Sequence, residues 1–342
     1  MLPPPPPSRP AAPSHPDDAI RGTDDDAAAS RFSAVSLGYL SDPYASLLYK
    51  QQRLAGQSAR KAPLINVGTH HRTAALDAVV DSFLSAAGDG AQIVSLGAGS
   101  DTRFWRLNDA SQTRQTPLGR YVEVDFPQLT AIKAQRIARN RQLTGTLVSA
   151  DPSSPKPYAV SHGGTALTAA NYALLPLDLR GGAATLDADV LPLLDPSKPT
   201  LLIAECVFCY MSPDESAAVI QWFGQTFERT AAVIYEMYGL DDAFGRVMRR
   251  NLSQRNLSLP GAGFATAQAQ ADRFLDSALG AGVFNDSGAK SLWDIRTTVV
   301  PKRELERISK LEILDEIEEL RLVLSHYCVA WASKGLDQVG LR

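Results

Sequence analysis

Four short stretches of nearly uninterrupted apolar residues mark the chain: Gln92 to Leu96, Arg120 to Val124, Thr200 to Ala204 and Ala232 to Glu236. Runs this short, without polar alternation, are what strands need when both faces of their sheet are covered. A weaker run spans Tyr172 to Leu177, and the alternating His326 to Ala332 reads as a final strand. Helical periodicity fills the gaps at Thr73 to Ala86, Pro127 to Asn140 and Pro213 to Phe227. The last of these opens with Ser212-Pro213-Asp214-Glu215, where Ser caps, Pro takes the first helical position and Glu sits three residues after the cap. Strand–helix alternation predicts an α/β fold with a doubly wound, mostly parallel sheet, whose ligands bind beyond the carboxyl ends of the strands.

Three regions break the pattern. Residues 240–290 are rich in Gly, Ser, Ala and Asn and read as an insertion over the carboxyl edge, a lid or partner surface. Within Arg303 to Arg321, Ser309 and Glu312 have the spacing of a second capping box, which predicts two helices with a break. Residues 1–28 hold the run Pro3 to Pro7 and five aspartates with few large apolar side chains, so this Pro/Asp-rich tail is expected to be disordered. The remainder, 29–342, reads as one domain carrying the 240–290 insertion.

Charge narrows the function classes. Lys and Arg total 34 against 37 Asp and Glu, a net charge of −3 that gives no electrostatic footprint for nucleic acid or an anionic membrane. The local basic run Arg246, Arg249, Arg250 and Arg255 reads as a solvated helix face. Three cysteines do not make a disulfide framework, which points to a reducing compartment, and no apolar run is long enough to span a bilayer. The cytoplasm is the expected location. Cys206-x-x-Cys209 is read as sitting on a strand, where residues three apart point to opposite faces, which argues against a metal or redox pair. His70 and His71 are adjacent and lack the i, i+4 spacing of shared ligands; a helix-start or surface role is expected, and no metal site.

The sharpest local feature is the strand Ile93 to Leu96 running into Gly97-Ala98-Gly99-Ser100-Asp101-Thr102. Glycine lets the backbone approach a ligand closely and adopt dihedrals other residues resist. The next strand ends at Glu123-Val124-Asp125, and an acid at that place accepts hydrogen bonds from the ribose hydroxyls of a nucleoside cofactor. A dinucleotide fingerprint asks for a third glycine where this chain has Thr102, and Asp101 would repel a pyrophosphate. The incomplete fingerprint favours a sulfonium nucleoside, S-adenosylmethionine.

Taken in order, Gln92 to Leu107 (QIVSLGAGSDTRFWRL), Tyr121 to Pro127 (YVEVDFP), Pro199 to Tyr210 (PTLLIAECVFCY) and His326 to Lys334 (HYCVAWASK) resemble the eukaryotic leucine carboxyl methyltransferases. The similarity runs from Arg31 to Gly340, with Asn66 to Arg72 and Phe244 to Asn251 matching more loosely. It implies a Rossmann-like class I methyltransferase fold. It further implies that Arg72 holds the methionine carboxylate of the cofactor, that Gly97 and Gly99 approach its backbone, and that Asp125 binds ribose. Asp178 and Leu179 would flank the adenine, Glu205 would be a further cofactor contact, and Tyr210 would wall the methyl-transfer pocket. Arg31 matches the family's N-terminal basic position. His70-His71 departs from the aromatic residue expected before the arginine.

The implied reaction methylates the C-terminal leucine α-carboxylate of a type 2A protein phosphatase catalytic subunit. A carboxylate with a pKa of about 3.5 is already ionised at neutral pH, so the site needs a cationic clamp, for which Arg72 and Arg31 are the candidates, and no histidine base. The chain is expected to act as a monomer. Rival readings are a small-molecule or tRNA methyltransferase of the same superfamily, a dinucleotide oxidoreductase, and a non-catalytic binding module.

Overall fold

The computed structural model describes residues 15–49, 60–109, 118–276 and 282–341. The strands are β1 (Gln92–Leu96), β2 (Arg120–Asp125), β3 (Ala159–Ser161), β4 (Ala166–Thr168), β5 (Tyr172–Pro176), β6 (Thr200–Glu205), β7 (Thr230–Met237), β8 (Asp286–Ser291) and β9 (Tyr327–Lys334). They form one sheet in the order β3-β4-β5-β2-β1-β6-β7-β9-β8. The central run from β5 to β7 is parallel, and antiparallel pairs close both edges. From β1 the chain winds outward through β2 to β5, then returns to the other side of β1 to start β6. That reversal opens a crevice at the carboxyl ends of β1 and β6, where open α/β sheets bind ligands.

Burial on both faces explains the unbroken apolar runs. Ile93, Leu201, Ile203 and Val233 pack into the core beneath the helix Pro63–Ala87, while Val94, Leu96, Leu202 and Ala204 pack against the helix Pro213–Thr226 on the other face. The capping box expected at Ser212 and Glu215 is formed in both directions.

The Pro63–Ala87 helix starts ten residues before the apolar periodicity places it. Its first turns carry buried polar residues with fixed partners instead of an apolar stripe. Asn66 is fully buried, its Oδ1 accepting from Ser33 and its Nδ2 donating to Glu312. His70 and His71 are likewise buried in mid-helix, paired with Glu304 and Arg296, so neither a helix-start nor a surface role holds for them. The helices Lys302–Ile308 and Ile317–Leu324 do have a break between them, but no capping box forms at Ser309. Glu312 is drawn instead to Arg60 and Asn66.

Two other expectations change. The tail is not disordered over the part described: helices run Asp18–Arg21 and Thr23–Ser36. Asp24, Asp25 and Asp26 occupy the first turn of the second, where acids meet the positive end of the helix dipole, and Ala27 to Ala29 are strong helix formers. Pro3 to Pro7 lie outside the described residues. Residues 240–290, read as one lid, divide in two. The helix Ala243–Ser253 sits at the carboxyl edge, whereas Ala267–Leu275 packs its Phe274 edge-on against Phe284, and β8 extends the sheet beside β9. With the sequence Asp-Ser-Gly-Ala-Lys-Ser, β8 has no apolar pattern to announce it. Among the described residues, no helix is long and apolar enough to cross a membrane.

Candidate active site

The site begins where β1 ends. Gly97 and Gly99 both take left-handed backbone angles, φ +58° and +44°, and a Cβ on either would collide, with Val207 at the first and with the Asp24 carboxylate at the second. Asp125, at the end of β2, holds the turn. Its Oδ2 accepts from the Gly99 N–H at 2.6 Å and its Oδ1 from the Phe126 N–H at 2.7 Å. Burial pushes this carboxyl up to about 6, against the lowering effect of those two bonds.

At the end of β6, Glu205 bridges two arginines, accepting from Arg72 Nε at 2.8 Å and pairing with Arg103 Nη1 at 2.8 Å. Burial alone would raise Glu205, but Arg103 and Arg72 outweigh it and hold it below the usual carboxylate range. The Arg72 guanidinium lies 4.5 Å from the centre of the Tyr235 ring, so an aromatic face and a carboxylate fix its plane. Arg103 also pairs with Asp101 at 2.8 Å and Asp77 at 3.3 Å. The charge of Asp101, read from sequence as repelling a phosphate, is thus already neutralised by Arg103.

The N-terminal helices cover this floor. Asp24 accepts from the Ser100 N–H at 2.7 Å and from its hydroxyl at 2.8 Å. Arg180 forks between Asp17, at 2.7 Å, and Asp178, at 2.6 Å, and Asp26 pairs with Arg255 beyond the helix Ala243–Ser253. Asp178 caps the turn Leu179–Gly181, and its hydrogen bonds with Arg180 hold its pKa down. Arg31, further along the Thr23–Ser36 helix, donates from Nε to Asp42 at 2.5 Å and from Nη1 to Thr73 at 3.4 Å.

Floor and cover enclose a cavity of about 440 Å³. Arg31, Arg72, Gly97, Gly99, Asp125, Asp178, Leu179, Glu205 and Tyr210 all line it, so the structure brings every residue singled out from the sequence onto one wall system. Tyr210 arrives on the turn Phe208–Tyr210, where burial drives its phenol far above the usual value. Sequence reasoning missed Asp24, Tyr235 and Tyr327, which also line the cavity, and Arg103, which organises it from beneath. Asp24 had a signal: three acids before three alanines spell a helix start. Cys206 lies beyond the end of β6, not on it, with φ +55°, and Cys209 is buried on the following turn. Among the described residues, no group of three or more His, Cys, Asp or Glu side chains converges to hold a metal.

A nucleotide-sized cavity at the switch point of a doubly wound sheet, with a glycine turn and a strand-end acid, defines the class I, Rossmann-like methyltransferase architecture. A crystal structure of a DUF574 family protein from Streptomyces avermitilis shares the fold, with a TM-score of 0.50 at 16% identity over 80% of this chain and 86% of that one. The family model described as leucine carboxyl methyltransferase matches residues 11–224. Leucine carboxyl methyltransferase 1 of Cryptococcus neoformans var. neoformans serotype D (strain JEC21) is 56% identical over 359 residues, covering 98% of each chain. The Bos taurus protein of that name is 32% identical over 327 residues, covering 95% of this chain and 93% of its own. The chain therefore belongs to the leucine carboxyl methyltransferase family, and it is a methyltransferase.

Proposed function

We propose that this enzyme transfers a methyl group from S-adenosylmethionine to the α-carboxylate of the C-terminal leucine of a type 2A protein phosphatase catalytic subunit, forming a methyl ester. The observation that carries this reading is that Arg31 and Arg72 line one cavity, together with Arg180 and Arg255, where no histidine or lysine is among the described lining residues. Such a lining suits an acceptor that arrives already ionised. The cavity also fits the cofactor. Side chains at positions 97 and 99 would fill the cradle, Asp125 keeps lone pairs for ribose hydroxyls, and Leu179 offers an apolar wall to a base. Acids outnumber arginines along the lining, which favours a cationic ligand.

When bound, S-adenosylmethionine supplies an electrophilic sulfonium methyl. The chain's own work is placement. Glu205 and Tyr235 fix Arg72, Asp42 fixes Arg31, and both arginines line the cavity. A carboxylate docked there needs no proton removed; orientation and exclusion of water remain as the sources of rate. Tyr210, its phenol neutral, closes the wall without competing as a nucleophile. The test is calorimetry with S-adenosylmethionine, then labelled methyl transfer to the phosphatase catalytic subunit with and without its terminal leucine. Base-labile label only on the intact substrate is expected; equal labelling of the truncated one would overturn the acceptor assignment.

A further inference from the structure

Thr102 stands where a dinucleotide fingerprint would put its third glycine, at the end of the turn that carries Gly97 and Gly99. It directly precedes the helix Arg103–Leu107, a place where a threonine hydroxyl ordinarily accepts from the first helical turn. Here it makes no such cap, and the Arg103 N–H goes to the Asp101 carboxylate instead, at 3.1 Å. The buried Thr102 hydroxyl donates to Asp42 Oδ2 at 2.5 Å. That same oxygen accepts from Arg31 Nε at 2.5 Å, while Oδ1 accepts from the Tyr44 N–H at 3.0 Å. One carboxylate, 4% exposed, thus joins the glycine turn to an arginine of the cavity lining, although Thr102 itself does not line the cavity. Among the described residues, Arg31 Nη2 meets no acceptor, and the side chain stays 15% exposed. A rival donor stands close by. Arg106 Nε, buried and without a hydrogen-bond partner among the described residues, lies 4.0 Å from Asp42 Oδ2.

We infer that Thr102 is a positioning residue for methyl transfer: its hydroxyl holds Asp42, and Asp42 holds Arg31 in place for the acceptor carboxylate. The inference rests on the proposed acceptor, for which Arg31 is one of the cationic clamps. Arg31 and Arg106 present two charged donors to one carboxylate oxygen. A buried N–H left unpaired costs free energy, so an Asp42 released by Thr102 gains by turning toward Arg106 and away from Arg31. The hydroxyl blocks that turn, and a glycine at this position has nothing to block it with. Rate depends on how closely the clamp keeps the acceptor in attacking geometry. The contribution of Thr102 therefore passes through Arg31 alone and leaves cofactor affinity nearly untouched.

The experiment compares the parent enzyme with Thr102→Val, Thr102→Ser, Arg31→Ala and the Arg31→Ala/Thr102→Val double variant, using intact phosphatase catalytic subunit. Calorimetry checks S-adenosylmethionine affinity in each, and thermal melts check folding; Thr102→Ala replaces the valine variant should that one not fold. Thr102→Val is expected to lower kcat/KM for the phosphatase about tenfold, the worth of one charge-assisted hydrogen bond, with cofactor affinity within about threefold of the parent. Thr102→Ser keeps the donor and should restore most of the loss. In the Arg31→Ala background the valine should cost less than about twofold, because residues that act through one another are not additive. A second readout needs no acceptor: the Arg31 Nε–H resonance, assigned by its absence in Arg31→Ala, should move in Thr102→Val and return in Thr102→Ser. A loss as large in the Arg31→Ala background as in the parent, a valine variant as active as the parent, or a resonance that does not move would each overturn the link. A parent that leaves the phosphatase unlabelled would sink the acceptor assignment instead, and the resonance would still decide whether Thr102 holds Arg31.

Discussion

Asp125 and Asp24 grip the same glycine turn from opposite sides, one from the end of a central strand, the other from the N-terminal helix laid across it. Asp125 is buried, inherits its position from the β1–β2 register, and belongs to a floor whose arginines are locked beneath it. Asp24 is half-buried on an arm fastened by ion pairs at the rim, Asp17 to Arg180 and Asp26 to Arg255, the latter half-exposed at both partners. Exposed pairs contribute about 0–1 kcal/mol each, whereas breaking a buried pair costs roughly 3–5 kcal/mol. The floor should thus behave as part of the fold, and the cover as part of the ligand site.

The largest expected effect tests the floor. Arg103, 2% exposed, pairs with Asp101, Asp77 and Glu205, and Arg103→Ala leaves Asp101 without its arginine while Glu205 keeps only Arg72 and Asp77 only Arg106. Denaturant unfolding should show a loss of about 3–5 kcal/mol. A loss under 1 kcal/mol would show that water reaches the cluster and that the floor is no more rigid than the cover.

Legibility in the sequence divides along the same line. The central strands and the Gly97–Asp125 pair were readable because burial on two faces and a left-handed turn leave local traces in residue type. What escaped was whatever depends on partners far along the chain. The first turns of the Pro63–Ala87 helix looked polar because Asn66, His70 and His71 are satisfied by Glu312, Glu304 and Arg296, more than 200 residues away. The N-terminal arm looked disordered because charge pairing onto the site, not an apolar stripe, holds it down. The strand β8 is named only by its neighbour β9.

Cofactor affinity separates the two carboxylates more finely. Asp125→Ala should weaken S-adenosylmethionine binding at least tenfold, since charge-assisted bonds are worth roughly 1.5–3 kcal/mol each. Asp24→Ala removes two bonds that order the turn without removing the ribose acceptor, so a severalfold loss is expected, with little change in melting temperature. Deleting residues 1–26 removes Asp17, Asp24 and Asp26 together and should approach the Asp125→Ala loss. Calorimetry and thermal melts on the three proteins decide it; a deletion that binds cofactor as the parent does would show the arm to be a passenger.

The smallest expected effect is on pH, and it tests whether Asp125 must be ionised to act. Burial raises its pKa to about 6. A carboxyl raised in the folded state favours the fold while protonated, so its contribution is present at low pH and is lost as pH rises from about 4 through 6. Glu123 and Glu236, both raised to about 7 by burial against the pull of Lys133 and Arg273, add to that trend. Cofactor affinity runs the other way, because only the ionised carboxylate can accept from both ribose hydroxyls. Between pH 7.5 and 5.5 the affinity should therefore fall about fourfold, the fall expected of one group with a pKa near 6. Between pH 7 and 8 kcat/KM should be nearly flat. His70 and His71, both lowered by burial, are neutral there and lie off the cavity. Affinity measured by calorimetry against pH, beside initial rates with rapid ester assay, separates the two limbs. A tenfold rate rise between pH 7 and 8 that follows one ionisation would return a general base to the mechanism, and an affinity unchanged down to pH 5 would release Asp125 from the ribose.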